Sequence, residues 1–517
     1  MNMFSTHTVY IGDLPLGGGR PGRIQSMTST PTGDIKASVA QVIRLAEAGA
    51  EYVRLTVPTM EDVEALREIR RQVREAGFRT PLIADVHFNP DIAEAAARIV
   101  EKVRINPGNY TDRHHRDKTG FTDAEYAAGT ERIHERLRPL LAICRQYGTA
   151  LRIGTNHGSL SDRILDRYGD TPQGMVASAM EFVRICEAES FDRIVLSMKS
   201  SNPRVMAAAT RLLVKEMQEH GTVYPVHLGV TEAGAGEEGR IKSAVGIADL
   251  LAEGIGDTLR VSLTEDPVCE IPVAKALADY MQQENRTPVR TEFLPFRAAD
   301  DDRRYFRIAP ERKTPERLAR LSCAGSPAAA AFLEAKADCG AYGPETEIIF
   351  HKFYPAPAKN LYLQAACDFG PVLSRDRGDG IWIETDDPSV SEADIRRWSL
   401  SILQACRRRI SAAEFISCPS CGRTKFYIAT TAERIRQRTG HLTGLKIGIM
   451  GCIVNGVGEM ADADYGYIGE NHGMVTLYHR REVVRRHIPA AEAVDALVAL
   501  IRENGDWKEN RQEQDKT

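Results

Sequence analysis

Residues 23–57 read RIQSMTSTPTGDIKASVAQVIRLAEAGAEYVRLTV, and this stretch sets the fold. It holds a short apolar run (Arg23–Ser29), a polar loop, a helical stretch and a second apolar run (Tyr52–Val57). Asp34 is placed to cap the helix, because its carboxylate can accept the N–H groups that a first turn leaves free. Val39, Val42, Ile43 and Ala46 then keep the i, i+3, i+4, i+7 spacing of one buried face, and Gly49 closes the helix. A strand, a helix and a second strand in 35 residues form a crossover unit, and crossovers join parallel strands.

The unit recurs along the chain. Further candidate strands are Leu82–Val86, Val103–Asn106, Ala150–Thr155, Arg193–Met198, Val223–Val230 and Thr258–Leu263. Between them lie helical patterns. Thr59 with Asp62 three residues on forms a start like a capping box, followed by Val63, Leu66, Ile69 and Val73 up to Gly77. Met175–Ala188 repeats the pattern. Eight strands in about 265 residues fit a closed (β/α)8 TIM barrel. A doubly wound open sheet has the same alternation, but no GxGxxG follows the first strand.

The expected fold is therefore α/β, with a TIM barrel over residues 1–286. The alternation is lost over 287–405, which is read as an inserted middle domain. That segment holds a charge run (Asp300–Arg304), a small-residue stretch (Ala324–Ala331), the run GDGIWIE (Gly378–Glu384) and a helical Ile395–Arg408. Residues 406–517 are read as a C-terminal α+β domain. Its strands are Leu445–Met450, Tyr465–Gly469 and Met474–Tyr478, its helix is Ala490–Arg502, and a polar tail frays from Asn504.

Composition excludes several classes. The 517 residues are 43% apolar and 27% charged, an ordinary globular balance. Lys+Arg number 67 against 71 Asp+Glu, a net charge of −4, so no global basic field draws nucleic acid or a membrane surface. The longest apolar runs fall far short of the roughly 18 residues that span a bilayer. The N-terminus has neither the basic nor the apolar region of a secretory signal. Ten cysteines are too sparse for a disulfide scaffold, and the expected location is a reducing cytoplasm.

In a barrel, catalytic groups sit at the C-terminal strand ends and the loops that follow. Here those positions hold Arg54, Asp85 with His87, Arg104, Arg152 with Asn156, Lys199, His227 with Glu232, and Arg260 with Ser262. Arg54, Arg104, Arg152, Lys199 and Arg260 would repel one another in one low-dielectric mouth unless an anion lies between them. A phosphate-rich ligand supplies that counter-charge, and each charge-assisted bond contributes about 1.5–3 kcal/mol. Asn156, His227 and Ser262 are candidates to assist. Asp85 and Glu232 are the strand-end carboxylates, hence the candidate acid/base groups. For Asp85 the competing reading is an ion pair with a neighbouring arginine.

Cys418-Pro-Ser-Cys421 is followed by Cys452, thirty-one residues on. Three thiolates opening with CxxC suit an iron–sulfur cluster, a zinc ribbon or a redox dithiol. A zinc ribbon wants a second CxxC or a histidine near the third cysteine, whereas the sequence continues GCIVNGVGE. Glu459 is the nearest candidate fourth ligand. A phosphate-binding barrel joined to a cluster points to reduction of a phosphorylated metabolite. A non-redox barrel with structural zinc is the second reading, and iron against zinc content separates the two.

The long motifs carry a resemblance. They are RIQSMTST (23–30), LIADVHFNP (82–90), VRINPGNY (103–110), LRIGTNHGSLSDR (151–163) and SMKSSNP (197–203), together with 227–267, CPSCGRT (418–424) and GCIVNGVGEMADAD (451–464). The sequence resembles the 4-hydroxy-3-methylbut-2-enyl diphosphate synthases of the MEP (non-mevalonate) route to isoprenoids and terpenoids, in their longer three-domain form. The resemblance implies an oxidoreductase that converts 2-C-methyl-D-erythritol 2,4-cyclodiphosphate into (E)-4-hydroxy-3-methylbut-2-enyl diphosphate. It implies a 4Fe–4S cluster held by Cys418, Cys421, Cys452 and Glu459, with flavodoxin or ferredoxin as electron donor. It implies proton transfer by Glu232 and a diphosphate site at the basic strand ends. Short members join barrel and cluster from two chains of a homodimer, and longer ones from a single chain; both remain open here. The familiar motif reads NGPGE, and Val457 stands at its proline. Valine lacks proline's fixed φ, so a looser loop around Glu459 is expected.

Overall fold

The computed structural model describes residues 5–112, 120–283, 286, 289–295, 306–308 and 346–509. The charge run at 300–304 and the small-residue stretch at 324–331 lie outside the described residues, as does the tail beyond 509.

A short hairpin comes first, β1 (Val9–Ile11) and β2 (Leu14–Leu16), turned on Gly12 at φ 58°. The barrel strands follow: β3 (Arg23–Met27), β4 (Tyr52–Thr56), β5 (Leu82–Asp85), β6 (Lys102–Ile105), β7 (Ala150–Asn156), β8 (Ile194–Lys199), β9 (His227–Leu228) and β10 (Thr258–Leu259). They form one parallel sheet in the order β8-β7-β6-β5-β4-β3-β10-β9. A parallel bridge between Leu196 and Val226 brings β8 to the chain entering β9 and closes the ring. The hairpin plugs the N-terminal end, where Val9, Ile11 and Leu16 pack on Tyr52, Ile83, Ala150 and Val195.

The helix signals act as the sequence predicts. Asp34 accepts from the Ala37 N–H at the start of helix Ile35–Ala48, and Gly49 ends it at φ 99°, a conformation that costs glycine little. Thr59 and Asp62 form a reciprocal capping box on helix Met60–Glu75. The last two barrel strands are shorter than expected, two residues each. Pro225 has no N–H to give a ladder. Beyond Leu259, the N–H of Leu263 turns to the Glu270 carboxylate (3.2 Å) instead of to a neighbouring strand.

The middle segment forms a second sheet of β11 (Arg290–Pro295), β12 (Phe306–Arg307), β13 (Thr346–Tyr354) and β14 (Gly380–Thr385), in the order β11-β13-β14-β12. Its helices are Leu361–Leu373 and Glu392–Ala405. The first packs on barrel helix Gly236–Leu251 so closely that a Cβ on Gly370 would lie 3.1 Å from the Val245 Cα. A buried polar knot reinforces the joint. Asp368 accepts from Tyr280 of the barrel's last helix (2.5 Å), from Lys352 (2.8 Å) and from Tyr354 (2.9 Å).

The third sheet runs β15 (Glu414–Ser417), β16 (Lys446–Met450), β17 (Tyr465–Gly469), β18 (Met474–His479) and β19 (Glu482–Pro489). Helices Ile428–Thr439 and Ala493–Glu503 cover it. The sequence reading lacked β15, whose four residues are too few to show a period. It also lacked β19, an edge strand whose side chains are exposed or half-buried throughout. Among the described residues no helix is long and apolar enough to cross a membrane.

Candidate active site

The barrel mouth and the C-terminal sheet face each other across a shared cavity. From the barrel side, Arg54, Asp85, Arg104, Arg152, Asn156, Lys199, Glu232, Arg260 and Ser262 line it. The strand period explains this. Arg152, Gly154 and Asn156 are two apart on β7, so all three face inward. Gly154 is required there, because a Cβ would lie 2.5 Å from the Arg104 Nε. Through that gap Arg104 donates to the Gly154 carbonyl (2.8 Å) and to Asn156 Oδ1 (3.0 Å).

The cations are neutralised unequally. Arg260 is forked onto Glu270, Nε to Oε2 at 3.0 Å and Nη2 to Oε1 at 2.8 Å. Asp85 accepts from Arg104 at 3.0 Å and lies 3.9 Å from Arg54. Burial alone would raise the Asp85 carboxyl, but Arg54, Arg104, His87 and Arg423 outweigh it and hold the group well below the usual carboxylate range. Asp85 is thus an ionised anchor for two arginines, and the ion-pair reading replaces the acid/base one. Arg152 is 1% exposed, with Nε and Nη1 free of hydrogen-bond partners. Burial, then Arg54 and Arg104, push its guanidinium well below its ordinary value. Lys199 is pushed down likewise by burial and by Arg152. An excess of buried positive charge is left facing the cavity.

His227 does not line this space. Its ring is fully buried below the mouth, with Nδ1 3.4 Å from the Thr258 hydroxyl, because β9 places it one step before the strand end. Burial and Lys199 keep it neutral. Expected to assist at the ligand, it instead forms part of the floor.

Glu232 sits in the loop after β9 at φ 48°, a left-handed conformation rare for glutamate, and such positions cluster at functional sites. Burial and the adjacent Glu459 raise its carboxyl well above the ordinary range. Glu459 reaches across from the C-terminal sheet, accepting from Asn156 Nδ2 at 2.6 Å and from the Thr231 hydroxyl at 3.3 Å.

The opposite wall carries Cys418, Cys421 and Cys452 with Glu459. Cys418 follows the end of β15, and its N–H is tied to the Ile449 carbonyl (3.0 Å). Cys421 is set by reciprocal bonds with Thr424, each 2.9 Å. Cys452 follows β16 and caps helix Ile453–Glu459. The NGVGE segment lies in that helix rather than in a loop, and Val457 packs with the cluster of Ile416, Met450 and Met460. Burial, Cys421, Glu232 and Cys452 push the Cys418 thiol well up.

One chain supplies both walls. Thr264 donates to the Ser417 carbonyl (3.2 Å), and Ala233 bridges to Ser417. Gly158 and Gly458 cross backbone to backbone: a Cβ on Gly458 would fall 2.1 Å from the Gly158 oxygen. The sequence reading missed Arg423, Thr231 and Glu270. Arg423 stood in the quoted CPSCGRT motif, but no strand-end rule points to it.

Residues 6–275 match the GcpE TIM-barrel domain, and residues 414–503 match the GcpE protein C-terminal domain. The chain belongs to the GcpE family. A relative from Parabacteroides distasonis, named 4-hydroxy-3-methylbut-2-en-1-yl diphosphate synthase (flavodoxin), is 44% identical over 613 aligned positions, covering 98% of this chain and 99% of its own length. Relatives of the same name from Bacteroides fragilis and Akkermansia muciniphila are each 42% identical; they cover 98% and 97% of this chain and 96% and 97% of their own lengths. The 613 positions exceed the length of this chain, so that GcpE relative carries stretches this one lacks.

Proposed function

We propose that the chain reductively opens 2-C-methyl-D-erythritol 2,4-cyclodiphosphate to (E)-4-hydroxy-3-methylbut-2-enyl diphosphate, with flavodoxin as electron donor. The observation that carries this is a single cavity joining the unpaired buried Arg152 and its neighbouring basic side chains to three thiols and a carboxylate. Family membership supports the same reading, as does the name its relatives bear.

The donor set fits a 4Fe–4S cluster. Cys418, Cys421, Cys452 and Glu459 share one wall of the cavity. Three thiols and a carboxylate on one cavity wall suit a group whose irons take one protein ligand each. When bound, such a cluster supplies single electrons and a Lewis-acidic iron beside the substrate.

The chain's own residues do the rest. Arg54, Arg104, Arg152 and Lys199 bind the diphosphate, and Asp85 and Glu270 fix the arginines they pair. Glu232 is the proton-transfer group: it lines the cavity beside Glu459, and burial raises its carboxyl above the ordinary range. Asn156 and Thr231 hold Glu459. The C-terminal domain shuts over the barrel and excludes water. The cavity is complete in one chain, so turnover needs no homodimer. The chain divides into barrel (1–286), middle (287–405) and cluster (406–517) domains, and its place of work is the cytoplasm.

Metal analysis of anaerobically purified protein tests the reading. About four iron and four acid-labile sulfide per chain are expected, with absorbance that bleaches on reduction. Turnover of the cyclodiphosphate with reduced flavodoxin is expected from the same sample. Stoichiometric zinc without sulfide, with failed reconstitution, refutes it.

A further inference from the structure

Two apolar side chains stand in water on the segments that carry the thiols. Among the described residues, Tyr427 at 89% exposed and Ile453 at 62% are the most exposed large apolar side chains. Ile453 directly follows Cys452, and Tyr427 comes six residues after Cys421. The two segments run side by side, because the Lys425 N–H donates to the Gly451 carbonyl at 2.9 Å. Cys421 and Cys452 line the cavity, so the patch sits just outside the cysteine wall.

Local packing holds Tyr427 outward. Its neighbour Phe426 turns inward, with its ring 5.4 Å from the Tyr467 ring, and a Cβ on Gly469 would lie 2.6 Å from it. The Thr430 and Thr431 hydroxyls donate to the Tyr427 carbonyl at 3.1 and 3.0 Å, which fixes the backbone there. Lys425 is exposed beside it. Arg434 is exposed seven residues on, along helix Ile428–Thr439, and so falls on the same stripe as Tyr427. Glu433 lies off that stripe and accepts from Gln437 at 3.0 Å.

An aromatic anchor and an aliphatic neighbour inside a basic rim make a docking patch: the apolar centre binds and the rim steers. Electron-transfer encounters bury little surface, so a patch of this size suffices. The basic rim calls for an acidic partner. We propose that Tyr427, Ile453, Lys425 and Arg434 form the docking surface for an acidic, flavin-carrying electron donor, seated over the segments that hold Cys421 and Cys452. The inference rests on the reductase reading of the cavity and adds the place where its donor binds.

The test uses full-length protein with its cluster, kept anaerobic, and flavodoxin as the probe. Affinity is read by titration calorimetry at low and moderate salt and by the KM for flavodoxin. Turnover of the cyclodiphosphate is also read with dithionite and methyl viologen, which need no docking surface. Y427D sets a negative charge against the donor and binds flavodoxin about tenfold or more weakly. The double variant K425E/R434E binds more weakly than wild type and loses most of its salt dependence. Both keep the iron content and the dithionite-driven turnover of wild type. Tyr147 ends helix Asp123–Tyr147 just ahead of β7, at the far end of the barrel, and Y147D binds flavodoxin as wild type does. The proposal is overturned if Y427D binds as tightly as wild type, if Y147D weakens binding as much, or if both patch variants lose iron. It is also overturned if wild type turns over with dithionite but neither binds flavodoxin nor takes electrons from it. Failure of wild type to turn over with either reductant removes the reductase reading, and this inference with it.

Discussion

Arg152→Met should make the protein more stable and less able to hold its ligand. Arg152 is 1% exposed, and neither Nε nor Nη1 has a hydrogen-bond partner. Arg54 and Arg104 add like-charge repulsion. A buried donor left unmade costs about 1–3 kcal/mol, and a charged one more. Methionine keeps much of the volume and removes the charge, so the ligand-free protein should gain roughly 1–3 kcal/mol. At ~2–4 °C per kcal/mol, its melting midpoint should rise by several degrees. Binding moves the other way. Loss of a charge-assisted bond of about 1.5–3 kcal/mol weakens affinity roughly 10- to 150-fold. Differential scanning calorimetry without ligand, and pyrophosphate titration of the same samples, give the two numbers. A lower melting midpoint with unchanged pyrophosphate affinity would refute the reasoning, because Arg152 would then be a packing residue.

Gly458→Ala places a methyl group against the Gly158 carbonyl, so the two walls cannot meet. Turnover should fall on the order of a hundredfold while bound iron is kept, and full activity would show that the crossing is dispensable. Asp85→Asn should cost about 3–5 kcal/mol at pH 7, since it strips two buried arginines of their carboxylate. The folded-state pKa of Asp85 is depressed. Its stabilisation is therefore present above the unfolded value near ~3.9 and lost as pH falls through the lower folded value. Urea midpoints of the two proteins should converge below about pH 4, and a gap that ignores pH sinks the assignment. Asp368→Ala removes the acceptor shared by Tyr280, Lys352 and Tyr354, and should lower the urea midpoint by the equivalent of ~3–5 kcal/mol. An unchanged midpoint would mean that the middle sheet docks on apolar contacts alone.

Local signals carry furthest where one residue settles one hydrogen bond. Asp34, the Thr59–Asp62 pair and Gly49 stand where the sequence predicts and perform the expected tasks. Such caps depend on neighbours three or four residues away, which a sequence displays directly. β15 and β19 were not legible, because a four-residue run and an edge strand with no buried face have no apolar period of their own. The middle sheet was equally hidden: its pairing of β13 with β14 is set by contacts between distant segments.

For the site, the alternation of strands and helices, and with it the barrel, followed from the sequence by itself. So did the inward-facing barrel positions of the cations and the CxxC spacing of the thiols, since strand period and ligand spacing are properties of the chain in one dimension; Arg54 and Arg152, read as strand-end residues, lie within their strands. Tertiary structure decided which cations keep their charge free for a ligand. It gave Arg260 to Glu270 and Asp85 to two arginines, left Arg152 unpaired, and sank His227 beneath the mouth. It also set Arg423 and the cysteine wall against the barrel of the same chain. Electrostatic environment depends on distances between groups up to hundreds of residues apart, and those distances exist only once the chain has folded.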